Sequence, residues 1–300
     1  MTREAQASPG GPPAGPIADV VIWETLIAAF AVTFRDPALL LRAALGGLLL
    51  LAAANALALF LPPGLFALLL SVAAPLVAYT HFGVNWYRVI LLGPAGLVRP
   101  TLSWDRRHWL FLGAGLALGV ALLVLGVVVS KVVPLPRALI VIVLLYLGAR
   151  FSFLFPAIAV AEPYGPGYAW RHTKGQGARL TVLQLLAGLP LMLAIMMIVS
   201  LLFVALLGFS LFDVMAMQQG GLQPGDTFPF EISPLAMLCI KMITEALFMA
   251  AMAVQFSIVA IAFSRCTGWV PAAPGEIAEV FGQTDDDPGD DDTGDNTPGP

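Results

Sequence analysis

The stretch from 109 to 130, WLFLGAGLALGVALLVLGVVVS, runs 22 residues without an ionisable side chain. At 1.5 Å per residue it makes a helix of roughly 33 Å, enough to cross about 30 Å of hydrocarbon. Working outward, runs of the same kind occupy 38–61 (ended by Pro62-Pro63-Gly64), 65–92, 137–161, 180–212 and 235–264. The run 65–92 is polar in its later half, 137–161 contains Arg150 and Pro156, and 180–212 is longer than one bilayer needs, with Pro190 inside. Runs near or above 18 residues mark helices rather than barrel strands. The expected fold is all-α: a polytopic transmembrane bundle of six spans over 38–264.

Composition agrees. The chain of 300 residues is 59% hydrophobic and 11% charged, with a mean hydropathy of +0.87. A soluble domain is about 25% charged. A water-soluble fold with these residues would leave large apolar areas wet, at about 25 cal/mol per Å². That excludes a soluble enzyme and a disordered chain.

Residues 17–36 form a helical pattern that carries Asp19 and Glu24 and stops at Arg35-Asp36-Pro37. Its apolar run, Leu26–Phe34, is too short to cross. The expectation is an amphipathic helix lying in the interface, with Trp23 at headgroup level; a tilted extra span is the alternative. The lead over 1–16 is rich in Pro and Gly, without the basic flank, apolar core and cleavage site of a signal peptide. The acidic tail over 267–300 is expected to be disordered, as is the lead.

The net charge of −4 hides an asymmetry: nine acids lie beyond Arg265, whereas residues 1–264 carry 14 bases against 10 acids. Arg99, Arg106 and Arg107 fall between the second and third spans, and Arg171, Lys174 and Arg179 between the fourth and fifth. The other side has Lys131 and Arg137, plus an acidic connection with Asp213, Asp226 and Glu231. The positive-inside bias puts both termini in the cytoplasm. Cys239 and Cys266 sit on one expected helix, roughly 40 Å apart, too far to pair.

Polar residues inside the spans are candidate sites. His81, Asn85 and Arg88 share a helix face, as a packing and anchoring stripe or a polar cavity wall. Arg150 falls about 20 Å from its span's start and needs a partner, for which Tyr146, Phe153 and Glu162 are candidates. Lys241 and Glu245, four apart, form either a neutralised pair or an ion or proton step. In YAWRHTKGQGARLTV (168–182), Arg171, His172, Lys174 and Arg179 surround a Gly-rich turn before a helix start. With Arg88 they are candidates for an anionic lipid headgroup, or they serve topology alone. No phosphate-loop, HExxH or Gly-x-Ser-x-Gly spacing is present, so no catalytic residue, metal ligand or cofactor is assigned, and no nucleic-acid partner is expected.

Two stretches echo each other: Arg88, five residues, Pro94, then Trp104 and bases; Arg150, five residues, Pro156, then Trp170 and bases. A duplicated two-helix unit would put both arginines near the inner leaflet, with the chain after Pro156 along the interface. On GVNWYRVILLGP (83–94) and RFSFLFPAIAVAEPYGPGYAWRHTKGQGARL (150–180), the sequence resembles a group of uncharacterised bacterial six-helix inner-membrane proteins. More distantly it is similar to the membrane domain of some glycerophosphodiester phosphodiesterases. It departs at Gln176, where related chains often have Asn, and at Pro94, where they have an acid. The resemblance implies a six-helix membrane protein without its own catalytic domain.

Three functions are weighed. The first is a non-enzymatic membrane protein that contacts anionic lipid or organises the envelope, its partners being membrane lipids. The second is a small transporter or channel using Arg150, Lys241 and Glu245, which needs those charges in one cavity. The third, a lipid-modifying enzyme, has the least support.

Overall fold

The computed structural model describes residues 18–62, 64–96, 103–132, 136–162, 164–207 and 233–270. The expected lead over 1–16, the tail from 271 onward and positions 208–212 of the fifth expected span lie outside them. Helices in chain order are α1 (Ile22–Arg35), α2 (Pro37–Ala58), α3 (Leu65–Leu92), α4 (Arg106–Val132), α5 (Arg137–Phe151), α6 (Leu154–Ala159), α7 (Pro166–His172), α8 (Gly177–Leu207) and α9 (Pro234–Thr267). No strand occurs among the described residues. Six segments are long and apolar enough to cross a membrane: α2, α3, α4, α5 continued through α6, α8 and α9. The chain is a multi-pass helical membrane protein.

The helix α9 is the axle of the bundle. It packs against α8, α1, α3 and α2, and 56% of its most apolar window is buried, against 0% for α4. Small residues set how closely the neighbours approach. A Cβ on Gly46 of α2 would fall 2.8 Å from His81 Cε1, and one on Gly47 would fall 3.0 Å from the Ala78 carbonyl. These two glycines let α2 and α3 pack with their backbones nearly touching, the mode available where lipid removes any hydrophobic drive between helices. On the α3–α9 seam, buried Trp86 donates through Nε1 to the Ala253 carbonyl at 2.9 Å. Ser257 Oγ lies 3.0 Å from Trp86 Nε1 and 3.0 Å from Thr33 Oγ1. One buried polar seam thus ties α1, α3 and α9.

The helix α1 is separate from the six spans, as expected, but the structure refines its placement. Thr25, Ala29 and Thr33, all 0% exposed, form a small-residue stripe along it. Arg265 reaches Glu24 and Thr25, while Thr33 meets Ser257. These contacts lie eight residues, about 12 Å, apart on both helices, so α1 runs antiparallel along α9. The short stripe of Thr and Ala makes this close approach possible. The backbone N–H of Ala18 donates to the Arg265 carbonyl at 3.0 Å, so the first and last described segments meet at one end of the bundle, called here the terminal end. The chain then turns at Asp36, whose side chain caps α2 by accepting from the Leu39 N–H at 3.0 Å with Pro37 in the first turn.

The fourth span is interrupted. The helix α5 ends at Phe151, a turn covers Ser152 and Phe153, and α6 follows with Pro156, Ala157, Ile158 and Ala159 all buried. The helix α6 packs on α3, α4 and α9, so the chain after Pro156 is buried against the bundle. Phe155 stacks on Phe111 at 4.8 Å and Phe153 meets Phe263 edge-on at 5.7 Å.

Candidate functional site

The break after Phe151 decides where Arg150 lies. Counting along one unbroken span put this residue deep in the bilayer; with α5 ending a residue later, it sits at the terminal end beside the first residue of α8. Its guanidinium carbon lies 3.6 Å from the centroid of the Trp170 ring. Nε donates to Thr173 Oγ1 at 3.1 Å, Nη1 to Tyr146 Oη at 3.3 Å and Nη2 to the Trp170 carbonyl. The side chain is 6% exposed and forms no ion pair with a described residue. Of the partners expected for it, Tyr146 is used and Phe153 and Glu162 are not: Glu162 accepts from Trp269 Nε1 at 3.2 Å. Thr173 in turn donates to the Ala169 carbonyl at 2.7 Å. A Cβ on Gly177 would meet Arg150 Cδ and Tyr146 Cε2 at 2.8 Å. Arg150 is therefore a clasp that holds α7 and the start of α8 onto α5.

That clasp leaves the rest of the basic connection facing outward. Arg171 and Lys174 are exposed, and Arg171 Nε reaches only the Gly167 carbonyl, at 3.3 Å. His172 packs on Tyr168 at 4.3 Å between ring centroids. Burial and then the Arg171 charge hold its pKa below the ordinary imidazole value, against a smaller upward effect from the Cys266 backbone. Burial, with Glu162 nearby, pushes the Tyr168 hydroxyl up to about 12. Arg179 pairs with Asp19 at 2.9 Å, and Gln176 donates to the same carboxylate at 2.7 Å. The expected headgroup group is therefore divided: Arg171, His172 and Lys174 stay together, Arg179 anchors the start of α1, and Arg88 belongs elsewhere.

Arg88 donates through Nε to the Gly96 carbonyl at 3.1 Å. This matches the echo seen in the sequence, since Arg88 and Arg150 each bind a carbonyl of the connection that follows. Near it, His81, His108 and Trp104 form a stack, with centroids 5.5 Å apart for His81–His108 and 5.0 Å for Trp104–His108. Asn85 Nδ2 lies 3.3 Å from the His81 ring nitrogens. Asp105 caps α4 and places Oδ1 2.7 Å from His108 Nδ1. The sequence reading had the His81–Asn85–Arg88 face but missed His108, Trp104 and Asp105, whose Trp-Asp-x-x-His spacing at a helix start is the signal that would have found them.

The third set is split as well. Lys241 and Glu245 do not form the expected ion pair: the ion pairs among the described residues are His108–Asp105, Arg179–Asp19 and Arg265–Glu24. Glu245 instead accepts from Tyr79 Oη at 2.6 Å, a partner on α3 that sequence spacing could not supply. Lys241 lines a cavity of about 430 Å³ with Asn55 and Thr244. Arg150, the His81 stack and Lys241 thus occupy three separate places. The described residues hold no cluster of three or more His, Cys, Asp or Glu that would bind a metal ion.

No family model, curated protein or solved structure matches the chain.

Proposed function

We propose that the protein is a non-enzymatic component of a bacterial inner membrane that holds anionic lipid headgroups at its terminal end, with that end in the cytoplasm. One observation carries the reading: Arg171 and Lys174 are exposed beside the half-exposed ring of Trp170, and neither pairs with a carboxylate among the described residues. Arg150 occupies the inner face of that ring, which keeps the indole fixed at the level where Trp and Tyr meet headgroups. Around the same end, Arg106 and Arg107 share a recess of about 310 Å³ with Asp105 and with Tyr164, which is 45% exposed. Cations with aromatic neighbours at a membrane face attract anionic lipid, by about 1 kcal/mol for each Lys or Arg.

Electron paramagnetic resonance with spin-labelled lipids tests this. The reconstituted protein should immobilise phosphatidylglycerol in preference to phosphatidylcholine at low salt and lose the preference in 0.5 M salt. Arg171→Ala/Lys174→Ala removes up to about 2 kcal/mol of attraction, so the preference should fall by up to roughly thirtyfold. Equal immobilisation of the two lipids by the wild type, or a preference unchanged in the variant, refutes the reading.

A further inference from the structure

At the opposite end of the bundle α9 begins at Pro234, and Lys241 lies two turns along it, about 10 Å from the start. The residue that sequence spacing offered to neutralise it, Glu245, is engaged by Tyr79 of α3. Lys241, itself exposed, instead borders the cavity of about 430 Å³ between α2, α8 and α9. No carboxylate of a described residue lies within 4 Å of its ammonium group.

The walls have two characters. Asn55 and Thr244 share the cavity with Lys241, and the rest is hydrocarbon: Ala58, Leu59, Val199, Phe203, Met237, Leu238 and Ile240. The Thr244 hydroxyl is spent on the Ile240 carbonyl at 2.7 Å, and the Asn55 amide reaches only the Met242 sulfur at 3.8 Å, so Asn55 keeps hydrogen-bonding capacity. The volume falls in the range of small-molecule sites, about 300–1,000 Å³, which are apolar with a few convergent polar groups. An ammonium group at the edge of an apolar site within a span favours an anionic partner. The walls that surround it solvate a hydrocarbon chain. The occupant that satisfies both conditions carries one anionic group and one chain.

We propose that this cavity binds a single-chain anionic amphiphile, its carboxylate or phosphate on Lys241 and Asn55 and its chain along Phe203 and Leu238. The site lies away from the headgroup-binding face proposed above and does not depend on it. The test uses the full chain in phosphatidylcholine nanodiscs and counts bound probe by native mass spectrometry. Palmitate is compared with its neutral analogue hexadecanol, and lysophosphatidic acid with lysophosphatidylcholine; acetate tests whether the anion suffices without the chain. The wild type should take each anionic probe about tenfold more tightly than its neutral partner, should bind no acetate, and should show by the tighter of the two which anion it prefers. Lys241→Met should bring the ratios to near one, Lys241→Arg should keep them, and Lys131→Met, removing an exposed cation at the same end of the bundle, should leave them unchanged.

A wild-type ratio near one overturns the proposal whether or not the variants fold. So does a ratio that survives in Lys241→Met, which would leave a lysine that merely extends to the membrane surface. Equal loss in Lys131→Met would reduce the effect to general surface charge and overturn it too.

Discussion

The guanidinium of Arg150 lies flat enough on Trp170 to put its central carbon 3.6 Å from the ring centroid. The same side chain donates to the carbonyl of that tryptophan. One residue therefore binds both ring and backbone of another twenty positions away, and this pairing folds the connection after α6 back onto α5. A buried arginine without a carboxylate is tolerated here because π-face, hydroxyl and carbonyl partners together stand in for an anion.

If that pairing holds α7 in place, removing either partner should cost about 2 kcal/mol or more, and removing both should cost less than the sum. A double-mutant cycle of Arg150→Met and Trp170→Ala, read by unfolding in detergent, should give a coupling of about 1–2 kcal/mol. Arg150→Lys should behave much like Arg150→Met, since an ammonium cannot lie on the ring and reach Thr173 and Tyr146 together. Additive single effects would show that the stacking seen here contributes nothing.

Two glycines of similar appearance in the sequence should respond in opposite ways. Gly47 faces the Ala78 carbonyl of α3, where an added Cβ would sit at 3.0 Å from backbone that cannot rotate aside. Gly47→Ala should destabilise the α2–α3 pair by about 1–3 kcal/mol. Gly119 of α4 has nothing within 4 Å of its Cβ position, so Gly119→Ala should be neutral or stabilising by up to about 1 kcal/mol from helix propensity. Thermal unfolding of the two variants side by side decides it; matching losses would mean that α4 is packed where the structure shows it open.

Span count and helix class were legible because hydrocarbon thickness imposes a length on each apolar run, and length survives in a bare sequence. The break at Ser152 was not, since Phe151 and Phe153 on either side read as uninterrupted apolar helix. Glu245 was misassigned for a related reason: spacing along α9 offers Lys241, while Tyr79 comes from a different helix. The docking of α1 on α9 did leave a trace, the Thr25–Ala29–Thr33 spacing of small residues, but only the partner helix shows which surface it meets. In each case the missing information was a contact between segments far apart in the chain.

The His172 imidazole should make the α7 contact sensitive to mild acid. Burial, reinforced by Arg171, keeps its folded pKa below the ordinary value of 6.5. As pH falls, the unfolded chain takes up the proton first, so the contribution is fully present above 6.5 and is lost progressively below it, until the folded pKa is passed. The loss of thermal stability between pH 7.5 and 5.5 should therefore be smaller in His172→Gln than in the wild type. An equal loss in both would assign the acid sensitivity to other groups.

The orientation rests on charge. Arg106, Arg107, Arg150, Arg171, Lys174, Arg179 and Arg265 gather at the terminal end, whereas Lys131, Arg137 and Lys241 belong to the other. Because basic connections resist translocation, the terminal end should face the cytoplasm. In a background with Cys239→Ser and Cys266→Ala, a cysteine at Lys174 should react with a membrane-impermeant maleimide only after cells are opened. A cysteine at Phe60, 84% exposed just beyond α2, should react in intact cells. The reverse pattern would place Arg171 and Lys174 outside the cell, facing a leaflet where the cytoplasmic surface potential cannot act on them, and would remove the lipid-holding role along with the topology.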